Sequence, residues 1–158
     1  MNINVAIITC SSTRSIDEDT AGAELKRRVL AEGWTINQHV VVTDERSVIA
    51  DAIVAAADAG ADIILTCGGT GLSLYDVTPE ATADVCDRMV PGIAEAMRAL
   101  SMEHTHRAML SRAVCMQRGS TLIINLPGSL KAATECFDAV YDQFEHAVSM
   151  TAGDGHPS

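Results

Sequence analysis

"ADIILTCGGTGLSLYDVTPEAT" (residues 61–82) joins an apolar run to three glycines, an aspartate and a helix start. The run through Cys67 is short and almost continuously apolar, the pattern of a strand buried on both faces, as in parallel sheets. Gly68, Gly69 and Gly71 follow at what would be the carboxyl end of that strand. Further on, the Thr78 hydroxyl is placed to cap a helix with Pro79 at its first position. A strand that ends in a glycine turn and feeds a helix is the repeating unit of an α/β protein.

The same alternation extends in both directions. Residues 3–10, "INVAIITC", form a second buried-strand candidate, followed by a polar loop and a helical stretch that Gly33 is placed to end. "TINQHVVVT" (35–43) predicts a strand, and "ERSVIADAIVAAADAG" (45–60) a helix stopping at Gly60. Pro91-Gly92 restarts a helix through residue 102. "SRAVCMQ" and "STLIINL" then predict paired strands joined at Arg118-Gly119. One long helix is expected over residues 129–150, with Ala132, Cys136, Val140, Phe144 and Val148 along its buried stripe. The fold expected is a three-layer α/β/α sandwich with a mostly parallel sheet. It occupies residues 1–150, and a flexible C-terminal tail takes 151–158.

Composition narrows the class. A chain of 158 residues buries roughly two-thirds of its unfolded surface and needs no metal or disulfide staple. The formal charge is −10 and the eleven Lys and Arg residues are scattered, which excludes a nucleic-acid binder relying on clustered cations. The five cysteines are odd in number, widely spaced and free of any CxxC pair, so they read as buried thiols. No run approaches the ~20 residues of a membrane span. "MNINVAIITC" lacks the basic start of a signal peptide, and a cytoplasmic location is expected.

In parallel sheets ligands bind beyond the carboxyl ends of the strands. The loops after Cys10, Thr43, Cys67 and Leu126 therefore matter most. Glycines allow left-handed backbone and let N–H groups face an anion without a cationic side chain. Gly68 to Gly71 matches neither the dinucleotide fingerprint nor the Walker pattern, which leaves a bare turn or a phosphate cradle. "NLPGSLKAA" (125–133) offers a second glycine loop in which Ser129 either merely caps the last helix or helps expose N–H groups to an anion. Asp44 and Asp76 stand at neighbouring strand ends. Each alone reads as a cap or solvated carboxylate. Together, beside a polyphosphate, they suit Mg²⁺, which takes one or two carboxylates plus substrate oxygens. Asp17, Glu18 and Asp19 read as solvated loop, and His104 and His106 as surface or core residues. Ser111-Arg112 either serve a phosphate or close a turn.

The succession "GGTG", "DVTPEAT", "AMLSRAV" and "RGSTLIINLPGS" resembles the MogA/MoaB family of molybdenum-cofactor biosynthesis, with the plant G domain and the gephyrin domain as relatives. The likeness runs from "AIITCSSTR" to the last helix. It implies a molybdopterin-binding fold, a homotrimer, and adenylyl transfer from MgATP to molybdopterin with release of pyrophosphate. It further implies the molybdate-inserting enzyme of the same pathway as a partner. Under the resemblance Asp44 and Asp76 are the catalytic and metal-binding pair. Ser11, Gly68, Gly69, Thr70, Gly71, Ser111, Pro127, Gly128 and Ser129 line the nucleotide and pterin-phosphate site. One departure stands out: Tyr75 occupies the position of an arginine usual in the family, leaving Arg14 or Arg46 to supply the charge. The alternative function is a non-catalytic molybdopterin carrier or assembly subunit. A third reading, the nucleotide-pyrophosphatase chemistry of competence-damage proteins, fits less well, because that loop carries adjacent aspartates where this one has Asp76 alone.

Overall fold

The computed structural model describes residues 1–153. Four strands of its sheet run parallel: β1 (Asn4–Cys10), β2 (Thr35–Val42), β3 (Ile63–Cys67) and β6 (Thr121–Leu126). β5 (Cys115–Arg118) returns antiparallel to β6, and β4 (Arg88–Met89) adds a two-residue antiparallel edge. The order across the sheet is β2-β1-β3-β6-β5-β4. Helices α1 (Thr20–Ala31) and α2 (Arg46–Asp58) make the first two crossovers. α3 (Thr78–Asp84), α4 (Pro91–Ser101), α5 (Leu130–Val140) and α6 (Phe144–Thr151) complete the set. The mostly parallel α/β sandwich expected from the sequence is the fold observed. The edge strand β4 was not foreseen, because two exposed residues carry no readable pattern.

Alternation along the strands divides the core between the two faces. Ile3, Val5 and Ile7 point with Ile63, Leu65, Leu122 and Ile124 toward α1, α4, α5 and α6. Ala6, Ile8 and Cys10 point with Ile64 and Ile123 toward α2 and α3. Both faces are covered, so the central strands β3 and β6 are buried at every position.

The C-terminal helix corrects the expectation of a single element over residues 129–150. A 3-10 turn at Tyr141–Gln143 separates α5 from α6. The reason is aromatic packing: the turn delivers Phe144 into full burial, 5.8 Å from both the Trp34 and Phe137 rings, while Phe137 stacks on Tyr141 at 5.3 Å. Cys136, Val140 and Phe144 are buried as expected, but Ala133 and Phe137 take the place given to Ala132. Thr151, assigned to the tail, is the last residue of α6, and residues 154–158 of that tail lie outside the described residues. Among the described residues, no helix is long and apolar enough to cross a membrane.

The topology fixes where a site can form. The chain passes from β1 to β2 on one side, then crosses with α2 to β3 on the other side of β1. The gap between the carboxyl ends of β1 and β3 is thus a topological switch point, where open α/β sheets bind ligands. Register brings Thr9 beside Cys67, Cys67 beside Leu126 and Cys10 beside Val42, so the loops after all four parallel strands emerge together.

Candidate functional site

The loop leaving β3 is shaped by what its glycines must avoid. Gly68 has φ +102°, donates its N–H to the Leu126 carbonyl at 2.9 Å, and would place a Cβ 2.7 Å from the Cys10 carbonyl oxygen. Gly69 has φ +71°, and its Cβ would run into the Thr78 hydroxyl. Both left-handed conformations, with backbone or a buried side chain where Cβ would stand, demand glycine for the fold itself. At Gly71 the neighbour is one of the two candidate carboxylates: a Cβ would stand 2.8 Å from Asp76 Oδ2. Thr78 does not cap α3 as expected. It is already the first helical residue, with Pro79 following, and its fully buried hydroxyl makes no hydrogen bond.

A polar cavity of about 560 Å³ opens at the switch point. Asp44, Asp76, Ser11, Gly68, Gly69 and Gly128 all line it, so residues from four loops meet in one place. Asp44 is held by Ser12, whose N–H and hydroxyl donate to Oδ2 at 3.1 and 3.3 Å, while the Asp44 N–H donates back to Ser12 Oγ at 3.0 Å. Asp76 Oδ2 accepts from the Ser73 N–H at 3.1 Å. Each carboxylate therefore commits Oδ2 to the protein and leaves Oδ1. Two half-buried carboxylates with free oxygens beside a glycine turn would fit a cation that completes its shell from substrate oxygens. Among the described residues, no group of three or more His, Cys, Asp or Glu forms a preset metal cage.

Other residues on this cavity have clear roles of their own. Ser11 Oγ accepts from the N–H groups of Thr13 and Arg14 at 3.3 and 3.1 Å, which folds the loop on itself. Arg14 lines the cavity together with Tyr75, while Arg46 is held outside by a two-pronged pair with Asp84 at 2.6 and 2.7 Å. The thiols of Cys10 and Cys67 sit on the floor. Burial pushes both up to about 12, which keeps them protonated and unreactive at neutral pH. All five cysteines are free thiols.

The remaining predicted residues fall elsewhere. Thr70, Gly71, Ser111 and Pro127 line a second cavity of about 270 Å³, walled by apolar Ala94, Met97, Leu110 and the thiol of Cys136. Residues 69–71 thus form the partition between two compartments, one polar and one largely apolar. Ser129 is an exposed N-cap whose hydroxyl accepts from the Ala132 N–H at 3.2 Å, the plainer of its two readings.

Three features escaped the sequence reading. Asp19 is not solvated: only 1% exposed, it caps α1 through the Gly22 N–H at 2.9 Å and bonds the Thr9 hydroxyl and His39 Nε2, the latter at 2.7 Å. Burial alone would raise its carboxyl, yet those hydrogen bonds and the His39 charge hold it below the usual value. Asn125, fully buried, donates to the hydroxyls of Thr66 and Thr82 at 2.9 and 3.0 Å, tying β6 to β3 and α3. Arg112 closes no local turn; its fork is committed to distant partners. It reaches back to the partition, donating to the Gly71 and Asp76 carbonyls and pairing with Glu80. Apart from the Asp19–Gly22 cap, a local helix-start signal, these contacts span 10 to 59 residues of sequence and leave no local pattern.

Comparison with known proteins accords with this geometry. Residues 6–146 match the sequence family described as the probable molybdopterin binding domain. The chain is 36% identical to molybdopterin adenylyltransferase of Helicobacter pylori, over 96% of this chain and 89% of that protein. It is 38% identical to molybdenum cofactor biosynthesis protein B of Halalkalibacterium halodurans, over 82% of this chain and 78% of the other. The crystal structure of the molybdopterin biosynthesis enzyme MoaB from Thermus thermophilus superposes with a TM-score of 0.87 at 40% identity, covering 96% of this chain and 97% of that one.

Proposed function

The chain belongs to the family described as the probable molybdopterin binding domain, and from that premise we propose that it transfers the adenylyl group of ATP to molybdopterin, releasing pyrophosphate. One observation carries this reading. Asp44, Asp76 and the glycine turn converge on a polar cavity, and residues 69–71, with Pro127 and Gly128, stand between it and an apolar one. The polar cavity suits polyphosphate, and the apolar one suits a flat heterocycle.

A terminal phosphate oxygen of molybdopterin attacks the α-phosphorus of ATP; the new P–O bond forms as the bond to the departing pyrophosphate breaks. The attacking phosphate is already ionised, so neither aspartate is needed as a base. What the chain must do is bring two polyanions together, and position and charge compensation dominate such transfers. The Ser12 clamp fixes Asp44, the Ser73 N–H fixes Asp76, and Arg14 brings a guanidinium to the cavity where Tyr75 replaces the family's arginine. Mg²⁺ held by Asp44 and Asp76 would neutralise phosphate charge when bound. In this reading Gly68, Gly69, Gly128 and Ser11 serve the phosphates, and Thr70, Gly71, Ser111 and Pro127 the heterocycle. Ser129 acts only through the helix it caps. The protein works as a homotrimer in the cytoplasm, where free thiols persist, and passes its product to the molybdate-inserting enzyme.

Tyr75 favours a second reading, a carrier that binds molybdopterin without turnover. Pyrophosphate release from ATP by the pure protein, dependent on molybdopterin and Mg²⁺, decides between them. Tight pterin binding with no pyrophosphate establishes the carrier, and sedimentation of the pure protein reports the trimer.

A further inference from the structure

We propose that Arg112 is a positioning residue that sets the partition between the two cavities, and with it the spacing of the two reactants; this rests on the adenylyl-transfer reading above. Its main-chain N–H and all three guanidinium nitrogens converge on one structure. The main-chain N–H donates to the Thr70 carbonyl at 2.9 Å. Nε donates to the Gly71 carbonyl at 2.8 Å, and Nη2 to the Asp76 carbonyl at 2.7 Å. Nη1 and Nη2 also meet the two Glu80 oxygens on α3, the second at 3.2 Å. The fork thus holds both ends of the 70–76 segment against a helix whose own start is fixed by the Thr78 N–H bonded to the Gly69 carbonyl at 3.1 Å.

The consequence is mechanical rather than electrostatic. Glu80 balances the guanidinium, and its carboxyl is held below the usual range by the hydrogen bond from Arg112. With its charge met first by Glu80, Arg112 acts on the cavity mainly through its shape. Thr70 and Gly71 face the apolar compartment while Asp76 faces the polar one. A planar fork that grips carbonyls of both fixes one compartment relative to the other. A lysine ammonium, a point donor on a flexible stem, cannot span the same set of acceptors.

The test is Arg112→Lys, followed by pyrophosphate release and by amide hydrogen exchange across residues 70–76. Misplacing reacting groups by about 1 Å costs roughly 100-fold in rate, so kcat is expected to fall by that order while KM for ATP moves less than about threefold. Exchange in the 70–76 segment rises and that of β1 and β3 does not. Glu80→Gln keeps one acceptor for the fork and gives a smaller fall of the same kind, and it serves alone if Arg112→Lys does not fold. Unchanged kcat in both variants, or a rise in KM at constant kcat, overturns the proposal, the latter because it marks a direct phosphate contact. Should the wild-type protein itself release no pyrophosphate, the catalytic reading fails. The exchange measurement then still decides Arg112, since unaltered exchange in the variants rejects it.

Discussion

Ser12 and Asp44 hold each other across the carboxyl ends of the neighbouring strands β1 and β2, beside the switch point. The Ser12 N–H and hydroxyl both donate to Asp44 Oδ2, and the Asp44 N–H donates to the Ser12 hydroxyl oxygen at 3.0 Å. The pair ties the loop after β1 to the loop after β2 and aims the free Oδ1 of Asp44. Ser12→Ala leaves only the main-chain donor. It removes two hydrogen bonds worth about 1 kcal/mol each, so turnover is expected to fall roughly ten- to thirtyfold, measured as pyrophosphate release. Thermal unfolding of the variant should stay close to wild type.

Asp76→Asn is a sharper test of the cavity. The amide keeps the size of the side chain and can still accept from the Ser73 N–H, but it removes the charge that faces the cavity. Turnover should vanish while pterin binding, followed by fluorescence or calorimetry, remains largely intact. Persisting turnover would remove the cation-holding role from this residue.

The fold by itself already demands glycine at position 69, through Thr78. With φ at +71°, an alanine there costs about 1–2 kcal/mol in backbone strain, before any clash with the Thr78 hydroxyl. Gly69→Ala should destabilise the protein in urea, and Thr78→Ala placed behind it should return part of the loss. A double-mutant cycle with no coupling between the two positions would show that the contact is relieved at no cost.

Asp19 predicts the acid behaviour of the fold. Its carboxyl lies below its usual 3.8 in the folded state, because hydrogen bonds from Thr9, His39 and Gly22 outweigh the opposing effect of burial. A depressed carboxyl contributes stability that is present above the unfolded value and is lost as pH falls through the folded one. Asp19→Asn should therefore cost about 1–3 kcal/mol at pH 7 and flatten the decline of stability below about pH 4. Denaturant titrations at the two ends of that window measure both effects.

What could be read from residues alone follows from range. The strand–helix alternation is a local pattern with strong apolar contrast, and it yielded the parallel sheet and the loops at its carboxyl edge. Asp44 and Asp76 reach one cavity because each follows a strand, which topology guarantees without any knowledge of side-chain contacts. The break at Tyr141–Gln143 was hidden because its cause, the packing of Phe144 on Trp34, lies 110 residues back in the chain. Asp19 looked solvated because its partners Thr9 and His39 sit on different strands. The nine expected ligand-cradle residues proved to be three kinds of position: eight divided between two cavities, and Ser129 a helix cap. A single sequence cannot tell these apart, since serine and glycine serve all of them.

The meeting of the β3 and β6 loops restricts how this protein can drift over generations. A Cβ on Gly128 would stand 3.3 Å from the Gly68 Cα, the Gly68 N–H bonds the Leu126 carbonyl, and the Cys67 thiol donates to the Pro127 carbonyl at 3.1 Å. Two segments sixty residues apart are thereby joined along their backbones. Neither can gain or lose a residue by itself, so descendants that keep the cleft should inherit both lengths together, and an insertion in one should survive only alongside a matching change in the other.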